Sequence, residues 1–94
     1  MRRIVCNILY LVIVAFDLAI FFEPDYASSY SNLAVALDRV RDSLRSSKLH
    51  RAARVLQPLS PEIMLNQATG MVARSEFETA EYLMLSALSL RHPS

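Results

Sequence analysis

A single glycine, Gly70, is present in the 94 residues. Two-residue hairpin turns depend on glycine to reach positive φ, so a sheet built from tight hairpins has little support. Phosphate loops, dinucleotide fingerprints and nucleophile elbows need several glycines at fixed spacing, and none can be written here. An all-α fold is what remains. No covalent staple is available to it, because Cys6 is the only cysteine. His50 and His92 stand far apart without a cysteine partner, so neither a zinc site nor any cofactor is expected. A net charge of +1 gives the whole molecule no electrostatic basis for binding nucleic acid.

Hydrophobic residues make up 53% of the chain, and the excess is concentrated at its start. Residues 4–22 read IVCNILYLVIVAFDLAIFF, interrupted only by Asn7 and Asp17. At about 1.5 Å of rise per residue, such a helix approaches the thickness of a bilayer core, about 30 Å. A cleaved signal peptide fits less well. Asp25 stands two residues before Ala27, and Asp17 two before Ala19, where cleavage sites carry small residues. A helix buried in a water-soluble fold also fits less well, since few residues remain to wrap it. The expectation is therefore an uncleaved membrane anchor, residues 1–26 with its span at about 4–22. Arg2 and Arg3 precede the span, and no Lys or Arg follows until Arg39. By the positive-inside rule, the amino terminus would be cytoplasmic and the remainder periplasmic, in a single-pass protein of a bacterial inner membrane. Asp17 would then lie within the membrane. Two readings of it stand: a shallow, protonated or hydrated acid, or an intramembrane contact with a neighbouring helix.

The rest of the chain follows a helical period. Tyr30, Leu33, Ala34, Leu37, Val40 and Leu44 mark one apolar face. Asp38 with Arg41, and Asp42 with Arg45, form charge pairs three residues apart on the other. Ser46 and Ser47 interrupt the pattern and are expected to cap a second helix, carrying Leu49, Ala52, Ala53 and Leu56. A third helix is expected over about 62–74 and a fourth over about 76–90.

Residues 61–94 have the length of one tetratricopeptide repeat, about 34 residues. Met64 and Ala68 stand where that repeat has its large and small residues, Met71 at the next large position, and Phe77, Ala80, Met84, Ala87 and Pro93 near their counterparts. The chain thus resembles a tetratricopeptide-repeat (TPR)-like protein. Gln67 in place of leucine, Ala68 in place of glycine and the late Pro93 are departures. Residues 27–60 resemble a degenerate earlier repeat, with an insertion expected near Arg45 to Ser47. Fold and domains follow: an N-terminal transmembrane helix, then two TPR-like antiparallel helix pairs, 27–60 and 61–94. The resemblance implies that Leu65, Thr69, Val72 and Ala73 line a concave partner-binding groove.

Catalysis has little support, since no spacing links a nucleophile to a base. His50, among Lys48, Arg51 and Arg54, is expected to be solvated. The six basic residues from Arg39 to Arg54, against Asp38 and Asp42, form either a solvated face or a contact for anionic head groups or an acidic partner. The final helix, AEYLMLSALSL from Ala80, is apolar on nearly every side, which asks for burial on more than one face. Tyr82 and Leu85 lie off its main stripe and are the expected partner contacts. The expected function is a non-enzymatic, membrane-anchored interaction adaptor whose partners are other proteins and membrane lipid, with a homo-oligomer allowed and no nucleic acid. The alternative is an accessory single-span subunit of a large integral membrane complex.

Overall fold

The computed structural model describes residues 2–91. The side chains of Arg2, Arg3 and Cys6, and residues 92–94 with His92 and Pro93, lie outside the described residues. Five helices follow one another: α1 (Arg2–Phe22), α2 (Ala27–Arg39), α3 (Ser43–Leu56), α4 (Pro61–Ala73) and α5 (Phe77–Arg91). α2 packs on α1, α3 and α4, whereas α5 packs on α4 alone.

Local chemistry sets the helix ends. The Asp42 carboxylate accepts from the Arg45 amide and caps α3, so Ser46 and Ser47 are not its caps. Ser60 does the same for Ile63 at the start of α4, with Pro61 in the first turn, where its missing N–H costs nothing. α2 and α4 end alike. The Asp42 amide donates back to the Leu37 carbonyl, and the Glu76 amide to that of Met71. Between them Arg41 and Ser75 adopt φ of 65° and 63°, the left-handed residue of a Schellman motif, a place glycine usually takes.

These two ends are related by a shift of one repeat length, from Arg41 to Ser75, and so is the packing. Ala34 and Ala68, Ser46 and Ala80, and Ala53 and Ala87 are each a buried pair at that same separation. They are small because helices cross closely there. Larger side chains fill the spaces between: Met64 and Leu83 in the α4–α5 cluster, and Ile63 against Ala27 and Ala53, with Tyr30 alongside, between the two hairpins. Full burial of such side chains contributes about 1.5–3 kcal/mol each. The shift is unbroken from α2 to α5, so the insertion expected near Arg45 to Ser47 is absent. It also reaches back into α1. Val12, Ile13, Phe16, Ala19 and Ile20 are half-buried, and they stand one repeat length before Ser46, Ser47, His50, Ala53 and Arg54. α1 therefore meets α2 with the face that α3 presents to its neighbours.

That placement corrects the expectation of an N-terminal transmembrane helix. Among the described residues, no helix is long and apolar enough to cross a membrane. Asn7 and Asp17 bound an uninterrupted apolar run of only residues 8–16, about half of what a crossing needs. One side of α1 is docked on protein. Asp17 forms an ion pair with Arg45 of α3, at 3.7 Å with both side chains about half exposed. The single-pass, inner-membrane, periplasmic placement falls with the span, and so does the intramembrane contact of Asp17.

Candidate functional site

Three exposed surfaces and one buried polar cluster carry the side chains with chemistry. On α4, Leu65, Thr69, Val72 and Ala73 are all exposed. Their spacing of four, three and one puts them on one helical face, so the structure gathers the expected groove residues together. The Thr69 hydroxyl donates to the Leu65 carbonyl at 2.9 Å. That bond satisfies it within its own helix and leaves a mainly apolar strip.

The second surface belongs to α5. Its buried stripe, Ala80, Leu83 and Ala87, faces Met64 and Ala68 of α4. Tyr82 and Leu85 lie off it and are 71% and 59% exposed. Met84 and Leu88 are exposed as well, at 38% and 55%. Their counterparts one repeat earlier, His50 and Arg54, behave differently. His50 is fully buried, and Arg54 reaches Gln67 of α4 at 3.5 Å. α3 has a following helix to cover this face, and α5 has none among the described elements.

The third surface is a shallow groove of about 440 Å³ between Pro24 and Tyr30 on one side and Lys48, Arg51, Val55 and Leu56 on the other. The Tyr30 hydroxyl donates to the Pro24 carbonyl at 2.6 Å and holds the α1–α2 turn at its edge. The basic stretch does not act as one patch. Arg45 is paired with Asp17 and Arg54 is held at Gln67, so Lys48 and Arg51 are the cations that border this groove.

The buried cluster was not legible in the sequence. His50 is not solvated. Its Nε2 lies 2.9 Å from Oδ2 of Asp38, and because a carboxylate only accepts, Nε2–H is the donor. Asp38 also faces Arg74, with Oδ1 3.8 Å from Nη1. Arg74 in turn donates to Glu76 at 2.7 Å. Asp38 thus ties α2 to α3 and to the end of α4, and the expected Asp38–Arg41 pair does not form. Arg41 is occupied instead in turning the chain at positive φ. Nor does Asp42 pair with the Arg45 side chain, since it caps α3. A signal for the cluster did exist: His50 stands one repeat length before Met84, between buried Ser46 and Ala53, inside the apolar stripe. Among the described residues, no group of three His, Cys, Asp or Glu side chains is placed to hold a metal ion.

No protein-family model matches this chain, and none of the curated proteins is detectably similar to it.

Proposed function

We propose that this protein is a non-enzymatic interaction adaptor, a short TPR-like stack that binds another protein through its last helix. One observation carries the proposal. The α5 face bearing Met84 and Leu88 is open, while the corresponding face of α3 is covered by α4, and that of α1 by α2. The same contact is made twice within the chain and is vacant a third time. Its natural occupant is an amphipathic helix of the partner, seated on α5 as α4 is seated on α3. Leu85 borders Leu88 on the same surface, and Tyr82 stands beyond Leu85, farther around the helix; large half-wet side chains of this kind anchor interfaces. The exposed strip of α4, from Leu65 to Ala73, offers a second wall.

The test is co-purification from the source cells with a tagged full-length chain, comparing three variants. Tyr82→Lys with Leu85→Lys, and Met84→Lys with Leu88→Lys, should each abolish capture of the partner while helicity is retained. Exposed substitutions usually change stability by less than about 0.5 kcal/mol. Ala80→Leu should instead overpack the α4–α5 crossing, at about 1–3 kcal/mol, and loosen the fold. If both double-lysine variants keep the same protein at wild-type yield, α5 is not the binding surface and the proposal fails.

A further inference from the structure

The groove beside α3 is made by the fold, but its charge is not. Lys48, Arg51, Ala52, Val55 and Leu56 line it from α3, around a volume of about 440 Å³. One repeat length later, Tyr82, Leu85, Ser86, Ser89 and Leu90 line a hollow of about 550 Å³ on α5. Each residue of the first set has its counterpart in the second, so the same hollow is formed twice. None of the five α5 residues is charged. The packing therefore does not call for the cations at Lys48 and Arg51.

Both cations are exposed and stand three residues apart on one helical face, where like charges repel. Arg45 and Arg54 of the same helix are held at Asp17 and Gln67. Lys48 and Arg51 form no ion pair among the described residues. The surface beside them is apolar. Val55 is 75% and Leu56 40% exposed, and Tyr30 and Ala52 are half-buried. Across the groove the sign changes, because Pro24 is flanked by Glu23 and Asp25, both exposed. A uniformly anionic surface, such as nucleic acid or an anionic bilayer, would meet those acids as well as the cations. Small-molecule sites enclose most of their ligand, which a groove this shallow does not do. We infer that the groove docks a segment of a partner protein in which acidic residues adjoin a large apolar one. The acids face Lys48 and Arg51, and the apolar side chain lies on Ala52, Val55 and Leu56. This contact is separate from the α5 face and stands or falls independently of it.

A random peptide library displayed on phage and panned on the full-length chain tests the inference. Enriched peptides are expected to include a class with Asp or Glu beside Leu, Ile, Phe or Trp. Binding of that class should shift the amide resonances of Ala52, Val55 and Leu56, whereas a ligand of the α5 face would shift those of Leu85 and Leu88. With the most enriched peptide of the class as probe, Lys48→Glu with Arg51→Glu should raise the dissociation constant about tenfold or more. Circular dichroism should be unchanged, because both side chains are exposed. The same peptide with its acids replaced by lysine should bind the reversed chain better than the wild type, a recovery that a folding defect does not produce. Affinity for the original peptide should fall as salt is raised. The inference is overturned if no enriched peptide shifts those three amides, if those that do lack acidic residues, or if the reversed chain binds them equally well. It is also overturned if the wild-type chain floats with phosphatidylglycerol vesicles and the reversed chain does not, in which case an anionic bilayer occupies the groove.

Discussion

Gly70 lies where α4 runs closest to Asp38. A Cβ added there would come within 2.6 Å of the Asp38 Oδ2, the atom bonded to His50. Two effects oppose each other in Gly70→Ala. Alanine is the better helix former by about 1 kcal/mol. Against that, a hydrogen bond to a charged group contributes about 1.5–3 kcal/mol, and the displaced carboxylate would leave His50 buried without its partner. A free Asp38 could swing aside at little cost, but this one is held by His50 on one oxygen and Arg74 on the other. The loss should win, so Gly70→Ala is expected to destabilise the fold by about 1 kcal/mol in urea unfolding. A stabilised variant would mean that Asp38 moves freely and does not tie the helices together. The cluster was hidden from the sequence for a physical reason. Asp38 and His50 are far apart along the chain, on two helices, and each has nearer residues of opposite or like charge that suggest a surface role. Only the contact across the hairpin selects the true partners.

At the scale of helices, most of the architecture was readable. Apolar spacing located α4 and α5 closely, because the side that repeats there includes the buried Ile63, Met64 and Ala68 and the buried Ala80, Leu83 and Ala87. It ran α2 too far, since Val40 and Leu44 are exposed and Leu44 belongs to α3, and α3 buries Ser46, His50 and Ala53 where Leu49, Ala52, Ala53 and Leu56 were expected. Two elements differ from what the residue types suggest. Ser46 looks like a cap, yet it occupies the small position at the α2–α3 crossing that Ala80 occupies between α4 and α5. Its hydroxyl is satisfied by the Ser43 carbonyl at 3.2 Å, which makes a buried serine acceptable there. α1 looks like a membrane span because an apolar run does not declare what covers it, and here α2 and the Asp17–Arg45 pair hold one side of it. The helix ends yield a prediction of their own. Arg41 and Ser75 hold a left-handed conformation that costs a residue with a Cβ roughly 1–2 kcal/mol. Part of that returns on substitution by glycine, offset by the greater freedom glycine has when unfolded. Arg41→Gly and Ser75→Gly should each raise stability by about 0.5–1 kcal/mol, seen as a few degrees in Tm. Both sites adjoin the Arg74–Asp38 contact, so the double variant measures whether that contact couples the two helix ends. A decrease at either site would show that its side chain makes a contact worth more than the relief of strain.

Across the whole molecule, stability should fall from the middle of the stack toward its ends. Each helix here is held by the helices it packs on. α2 touches three other helices, while α5 rests on α4 alone and α1 rests mainly on α2. Native-state hydrogen exchange should therefore show amides of α5, such as those of Leu83 and Ala87, opening at lower free energy than those of Leu33 and Leu37 in α2. Local openings of this kind are drawn from regions with few buried contacts. α1 rests mainly on α2, so amides of Leu9 to Phe16 should likewise open at lower free energy than those of α2. Should α5 exchange only with the whole molecule, the four helices after α1 unfold as one cooperative unit, and the open α5 face is as firmly held as the core it rests on.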